Sequence, residues 1–209
     1  MTSRVRVRFA KAGDLRWIGH RDLVRAFERM FRRVGVNMAM SRGFHPRPLM
    51  TFPDALAVGV AAQNEVMDIA LDGEINAAEL LARMNDQAPP GLLITELLVS
   101  GEHHRKPKVE RTLYELQLPD ETDVERLTEA IERFKAQDTL TVQRKEKLVV
   151  LDLKETLEGL WVDHGRLSMS IRVAPQSQLR PRDILAFIGL RDAVRDGAIL
   201  TRTKIELST

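Results

Sequence analysis

RVRVRFAKAGDLRWIGHRDLVRAFERMFRRVG, residues 4–35, places a strand pattern directly before a helix pattern. Apolar residues alternate with arginines along residues 4–9, as in a strand that buries one face and exposes the other. From His20 to Val34, apolar residues instead recur every three or four positions, as on the buried face of a helix. Gly35 follows at a position where helices commonly end. The stretch therefore predicts a strand over residues 4–9 and a helix over residues 20–34.

Strand and helix patterns continue through both halves of the chain. In the first half they predict extended segments at 49–52 and 56–60, a strand at 65–71, a helix at 75–84 with Asn76 as its N-cap, and a strand at 92–99. In the second half they predict a strand at 109–118, a helix at 124–135, a strand region formed by 139–143 and 148–153, a strand at 167–173, a helix at 179–187 and a strand at 198–205.

The order strand, helix, strand, strand, helix, strand is that of the ferredoxin-like βαββαβ motif. We therefore expect an α+β fold with two tandem ferredoxin-like halves, residues 1–101 and 107–209, joined by a linker at residues 102–106. The first helices of the two halves contain related sequences, RAFERMF at 25–31 and EAIERFK at 129–135. An internal duplication would explain this likeness, but Glu-Arg pairs are also common on exposed helices.

Positive charge is concentrated at the start of the chain. Residues 1–52 contain 12 Lys and Arg against 3 Asp and Glu, whereas the whole chain of 209 residues has a formal net charge of only +2. The rest of the chain is therefore mildly acidic. A basic segment on an acidic body is typical of a protein that brings one face to a polyanion.

Composition excludes several classes of protein. The chain has no cysteine, which rules out disulfides, a thiol nucleophile, a thiolate zinc site and a cysteine-held iron–sulfur cluster. No apolar run reaches about 18 residues, and the N-terminus lacks the apolar region of a signal peptide. We expect a cytoplasmic protein that does not contact a membrane. Because no phosphate-binding loop or dinucleotide fingerprint occurs, we also expect no cofactor.

Four consecutive motifs resemble those of a known family. They read KAGDLRWIGHRD at 11–22, VRAFERMFRRVGV at 24–36, SRGFHPRP at 41–48 and NEVMDIAL at 64–71. The chain resembles the radical-SAM-linked proteins, a bacterial family of uncharacterised domains found beside or fused to cobalamin-binding radical-SAM proteins. Three positions depart from that family's usual residues, with Gly19 in place of Ser, Arg21 in place of Leu and His45 in place of Asn.

This resemblance implies a role in a radical-SAM system. Radical-SAM enzymes hold their cluster with three cysteines, and this chain has none. The chain would therefore be the partner of a separately encoded radical-SAM protein. The resemblance assigns no biochemical activity to the domain itself.

The helix and loop of residues 20–52 form the expected functional surface. Arginines bind phosphates through forked, charge-assisted hydrogen bonds, and aromatic rings stack on unpaired bases. Gly43 permits a positive φ while Pro46 and Pro48 fix φ, so the loop would present its side chains in a defined geometry. The residues expected to bind RNA or a protein partner are Lys11, Trp17, His20, Arg21, Arg25, Arg29, Arg32, Arg33, Arg42, Phe44, His45 and Arg47.

A purely structural interpretation accounts for the same residues. Trp17 and Phe44 would be core residues, and Glu28 would pair along the helix with Arg25 or Arg32. The remaining arginines would then only keep an exposed helix soluble.

Titratable side chains near this surface could bind a metal or support catalysis, namely His20, His45 and the acidic candidates Asp22, Glu65 and Asp68. Their spacing matches no common metal-binding motif, so we expect no metal. We assign no catalytic residue, and His20 and His45 are the candidates for a general acid–base pair that acts on an RNA backbone.

Three functions follow from these features. The leading one is an accessory module that binds RNA, either tRNA or rRNA, and presents it to a separately encoded radical-SAM enzyme. The second is a protein-interaction subunit that docks on the radical-SAM partner without RNA. The third is a metal-independent endoribonuclease that uses His20 and His45.

Overall fold

The computed structural model describes residues 2–100, 107–174 and 178–208, which form a mixed α+β structure. The chain divides into two compact units, residues 1–108 and 109–209. The predicted α+β class is confirmed, and the predicted linker at residues 102–106 lies outside the described residues. Among the described helices, none is long and apolar enough to cross a membrane.

The first unit combines an antiparallel sheet with two helices. Its elements are β1 (Thr2–Lys11), a 3₁₀ helix (Gly13–Trp17), α1 (His20–Val34), β2 (Met50–Thr51), β3 (Ala61–Asp72), α2 (Ala77–Gln87) and β4 (Leu92–Ser100). β1 pairs antiparallel with both β3 and β4, and β2 pairs antiparallel with β3. The strands therefore lie in the order β4-β1-β3-β2.

The core of this unit lies between one face of the sheet and the two helices. Val5, Val7 and Phe9, at alternate positions of β1, are fully buried in one cluster with apolar residues of α1 and α2. Phe9 meets Phe27 of α1 edge to face, with ring centroids 5.0 Å apart, and Phe52 lies 5.9 Å from Phe27. This packing determines which side of α1 faces the sheet.

The predicted bounds of α1 and the predicted N-cap of α2 are confirmed, whereas α2 ends at Gln87, three residues later than predicted. α1 extends over His20–Val34, and Gly35 ends it with a left-handed φ of 73°, a conformation that glycine adopts without strain. α2 begins after Asn76, whose side-chain oxygen accepts hydrogen bonds from the backbone N–H groups two and three residues later.

The predicted extended segment at 56–60 is a turn. The N–H of Val60 donates to the carbonyl of Ala57, and Gly59 has a φ of +84°. The ring of Trp17 packs so closely on Gly59 that an added Cβ would lie 2.9 Å from Trp17 Cζ3. The local sequence pattern at 56–60 carries no information about this contact with Trp17, which is distant in the sequence. The expectation of an extended segment is therefore wrong.

The second unit also combines helices with an antiparallel sheet. Its elements are β5 (Val109–Gln117), α3 (Val124–Lys135), β6 (Thr139–Arg144), β7 (Lys147–Asp152), α4 (Leu153–Thr156), β8 (Leu157–Asp163), β9 (Arg166–Arg172), α5 (Pro181–Phe187) and β10 (Leu200–Leu207). Within this unit the sheet order is β10-β5-β9-β8, and β6 and β7 form a separate hairpin.

The strand region predicted at 139–143 and 148–153 is confirmed as extended, but its expected place in the main sheet is wrong. The region 139–153 is the hairpin β6-β7 and not a strand of the main sheet, where β8 takes the expected place. β8 was not predicted because its pairing with β9 shifts register between Leu157 and Gly159, and only Leu160 of its side chains is fully buried. The hairpin is attached to α5 through Arg144, whose Nη1 donates to Asp183 Oδ1 at 2.8 Å.

Replacing a buried phenylalanine and an exposed one should separate core packing from surface. We expect Phe27→Ala to lower the free energy of unfolding by about 3–5 kcal/mol, because the ring is fully buried against three other aromatic rings. The matched control Phe44→Ala, in a loop, should change it by less than about 0.5 kcal/mol. Urea unfolding followed by far-UV circular dichroism measures both. Equal effects of the two substitutions would contradict the assigned core.

Candidate nucleic-acid interface

Five arginines lie exposed on the outer face of α1, opposite the side buried against the sheet; they are Arg21, Arg25, Arg29, Arg32 and Arg33. The first and last are twelve residues apart, or about 18 Å along the helix axis. Arg25 makes an exposed ion pair with Asp22, with 3.4 Å between Nη1 and Oδ1, and such pairs contribute little to stability. Among the described residues, the other four arginines make no ion pair.

The alternative interpretation, in which Glu28 neutralises this face of α1 by pairing with Arg25 or Arg32, is wrong. Within the described parts of the chain, Glu28 forms no ion pair with Arg25 or Arg32. The outer face of α1 therefore carries a row of positive charges that is not balanced by its own glutamate. We call these five arginines the arginine row.

The loop SRGFHPRP, residues 41–48, is closed at its base by hydrogen bonds in both directions. The N–H of Ser41 donates to the carbonyl of Arg47 at 2.8 Å, and the N–H of Arg47 donates to Ser41 Oγ at 3.0 Å. Met40 and Pro48 form an antiparallel bridge beside them. The two arms of the loop continue along β3, because residue 38 bridges to residue 71 and residue 50 pairs with residue 69.

The tip of this loop points its side chains into solvent. Phe44 is fully exposed, with a relative accessibility of 103%. Gly43 before it has a φ of +130°, and an added Cβ there would meet no atom within 4 Å. Arg42, His45 and Arg47 are also exposed. The interpretation of Phe44 as a core residue is therefore wrong.

Trp17 is held differently from Phe44. It is 49% exposed, and its ring packs on Gly59 in the turn described above. The guanidinium of Arg16 lies 4.9 Å from the ring centroid, a cation–π distance that the sequence analysis did not anticipate. Trp17 therefore already has intramolecular partners on its ring.

The structure does not join the two candidate histidines. His20, the first residue of α1, meets Phe52 edge to face at 5.0 Å, whereas His45 lies at the tip of the loop. No hydrogen bond or ring contact between them occurs in the described ranges. In the same ranges, no three side chains of His, Asp or Glu are grouped so that they could hold a metal ion.

Lys11, Glu65 and Asp68 are buried residues of the first unit's sheet. Lys11 is buried, and its Nζ donates to the carbonyl of Ile18 at 3.4 Å, so it supports the turn before α1 and does not reach the surface. Glu65 is buried opposite Phe9, on the helix side of the sheet. Asp68 of β3 forms an ion pair with Arg6 of β1, with 2.8 Å between Asp68 Oδ1 and Arg6 Nε, on the face of the sheet that points away from the helices. Side chains three residues apart on a strand point to opposite faces of the sheet, so the carboxylates of Glu65 and Asp68 cannot share a site.

A charged cluster in the second unit was missed by the sequence analysis. Arg111 of β5 donates to Glu206 at 2.8 Å and to Glu158 at 2.9 Å. Arg172 also donates to Glu158 at 3.0 Å, and Ser170 at 3.2 Å. Charged residues at alternating strand positions were a signal, but only the sheet register brings strands β5, β8, β9 and β10 together here.

The cluster stabilises the ionised form of both carboxylates. Burial acts to raise the pKa of Glu158, but hydrogen bonds from Arg111, Arg172 and Ser170 outweigh it and hold that pKa below its ordinary value. Hydrogen bonds from Lys204 and then Arg111 lower the pKa of Glu206. The same contacts, with Glu206 first, raise the pKa of Arg111.

Comparison with known proteins identifies the family. A family model described as "Uncharacterized protein conserved in bacteria (DUF2344)" matches residues 4–181. The chain belongs to this family. The matched range contains the arginine row and the loop of this DUF2344 member. A search of curated proteins gives no significant match.

Solved structures similar to this DUF2344 protein are distant. An unknown protein from Galdieria sulphuraria is 12% identical over 100% of both chains, with a TM-score of 0.29. A "putative glycine cleavage system transcriptional repressor" is 10% identical over 100% of this chain and 99% of its own, with a TM-score of 0.23. At such scores neither structure supports an argument about this protein.

The charged cluster predicts how stability depends on pH. Because the folded pKa of Glu158 lies below the unfolded value of about 4.3, its stabilising contribution is present above that pH and is lost as the pH falls. We expect Glu158→Gln to lower the free energy of unfolding at pH 7 and to flatten its decline below about pH 4.5. Urea unfolding at a series of pH values measures this.

The control for this experiment is Glu129→Gln on α3. Glu129 is exposed and forms no ion pair with any described residue. Its replacement should leave the pH profile as it is in the unmodified protein. A Glu158→Gln profile that coincides with that control would refute the role of the cluster.

Proposed function

We propose that this protein is an accessory RNA-binding module that presents tRNA or rRNA to a separately encoded radical-SAM enzyme. The observation that carries the proposal is the arginine row, exposed along one face of α1 and paired within the described residues only at Arg25. The four guanidinium groups of the row that have no carboxylate partner among the described residues repel one another. A polyanion relieves that repulsion.

RNA phosphates suit this arrangement physically. Each guanidinium is planar, permanently charged and able to donate two parallel hydrogen bonds to one phosphate. A length of about 18 Å along the helix axis is enough for contacts with several successive phosphates. Release of the counterions condensed on RNA then provides most of the binding free energy.

The sheet topology supports the same proposal by analogy. Within each unit the strand order, β4-β1-β3-β2 and β10-β5-β9-β8, combines with an alternation of strands and helices that suits a ferredoxin-like fold. The second unit would then be a copy with the hairpin β6-β7 and α4 inserted. Sheets of this kind are frequent platforms for RNA, so the analogy supports RNA as the class of ligand, while its place on α1 rests on the arginine row.

The first helix of each unit, α1 and α3, differs from the other in the charge of its exposed face. Exposed positions of α1 carry five arginines, whereas the exposed positions of α3 include three glutamates with only two arginines and one lysine; the glutamates are Glu125, Glu129 and Glu132. The proposal therefore assigns RNA binding to the first unit alone. It also makes α3 a built-in comparison for mutagenesis.

The motifs at residues 11–71 are the reason for proposing a radical-SAM partner. Their resemblance to radical-SAM-linked proteins supports a shared system, and the absence of cysteine supports a division of labour in which the partner holds the cluster. In that system this chain would bind the RNA and the enzyme would modify it.

Removing two charges from the arginine row should weaken RNA binding. We expect Arg25→Ala with Arg29→Ala to reduce affinity for a tRNA transcript at low salt by about tenfold or more. The slope of log K against the logarithm of the salt concentration should become shallower by roughly 1.4, because two phosphate contacts are lost. The matched control is Arg126→Ala with Arg133→Ala on α3, which removes the same charge from the other unit. Filter binding or fluorescence anisotropy at several salt concentrations measures the three proteins.

Two results would overturn the proposal. One is the absence of RNA binding by the unmodified protein at low salt. The other is an equal loss of affinity in the α1 and α3 variants, which would indicate a general charge effect without a specific surface.

The complex with the radical-SAM partner should depend on RNA. When the two proteins are purified together from their own cells, we expect absorbance at 260 nm from nucleic acid and separation of the proteins after ribonuclease treatment. A stoichiometric complex that survives ribonuclease would instead favour direct docking of the basic surface on the enzyme.

A further inference from the structure

We infer that Phe44 stacks on a single unpaired base, so that the substrate is RNA with unpaired nucleotides, such as a loop or a bulge, and not a regular duplex. This inference rests on the proposed function, because it concerns the same surface. It adds the class of RNA and the residue that selects it.

Phe44 has no role in the fold that would explain a phenylalanine. Its side chain is 103% exposed, and the other described phenylalanines are buried or half-buried. Within the described residues its ring makes no aromatic contact, whereas Phe9, Phe27 and Phe52 pack on one another. A fully exposed aromatic side chain is a feature typical of binding surfaces.

The loop that carries this ring is closed at its base. The reciprocal hydrogen bonds of Ser41 and Arg47 and the bridge of Met40 to Pro48 close the base of the loop. Gly43 takes a φ of +130° that an L side chain rarely adopts. A loop ordered before binding loses less conformational entropy when its ring is covered.

Charge around the ring indicates a polyanion. Arg42 and Arg47 flank the tip at positions 42 and 47, and both are exposed. In RNA each base is flanked by phosphates, so a loop that exposes one ring and two guanidinium groups offers partners for a base and for its phosphates. An apolar partner surface would have to desolvate both arginines, at a cost that the single ring does not offset.

An unpaired base is required because of how bases are packed. In a duplex every base is already stacked on both faces, and the major groove of A-form RNA is too narrow for side chains. Bases in loops and bulges can turn outward and stack on an aromatic ring. Trp17 is a poorer platform than Phe44, because its ring already contacts Gly59 and Arg16.

The test compares three RNAs of related sequence: a hairpin with an unpaired loop, a blunt duplex built from its stem, and the single strand of the loop. The full chain is compared with Phe44→Ala, with Phe44→Leu, which keeps an apolar side chain but cannot stack, and with Phe44→Trp, which keeps stacking. Binding is measured by anisotropy at one low salt concentration. Because Phe44 is exposed, all three variants should fold.

We expect the unmodified protein to bind the hairpin at least about fivefold more tightly than the duplex, from the stacking of one base. Phe44→Ala and Phe44→Leu should lose about that preference with little change in duplex affinity, and Phe44→Trp should retain it. The emission of Phe44→Trp, compared with that of the unmodified protein, should be quenched by the hairpin and by the single strand but not by the duplex.

Failure of this inference is distinguishable from failure of the proposed function. Hairpin binding that depends on Arg25 and Arg29 but is unchanged in Phe44→Leu overturns the inference alone. Equal affinity of the unmodified protein for hairpin and duplex does the same. Binding to vesicles of phosphatidylcholine and phosphatidylserine, lost in Phe44→Ala, with no binding to any RNA, overturns both.

Discussion

The contact between Phe27 of α1 and Phe9 of β1 is the constraint on which the first unit depends. The rings meet edge to face in the centre of the core, and Phe52 completes the group from the segment beyond the loop. Because the helix repeats every 3.6 residues, burying one side at Phe27 turns the opposite side outward. Exposure of the arginine row is therefore a consequence of core packing.

The loop obtains its order from the sheet. Its arms run along β3, and Pro48 bridges Met40 just before the chain enters β2. This pairing satisfies backbone groups that a free loop would leave to water, and it leaves the tip at Phe44 without a role in the core. Rigid support below and exposed side chains above are the combination that recognition surfaces require.

The candidate site was predictable where periodicity alone decides exposure. Arginines at helical spacing were expected on the outer face, and they lie there. The side chains of Lys11, Glu65 and Asp68 were grouped with that surface because they are close in the sequence motifs. The structure buries all three, and it places the two carboxylates on opposite faces of the sheet, since residues three apart on a strand point in opposite directions.

The sequence by itself determined the α+β class, the extent of α1 with its end at Gly35, and the cap at Asn76, because these follow from local periodicity and backbone preference. Only the tertiary structure decided that residues 139–153 form a separate hairpin, that Trp17 packs on Gly59 and that Phe44 is bare. Strand pairing and ring contacts join residues far apart in the chain, and their free energies are not encoded in any short window of sequence.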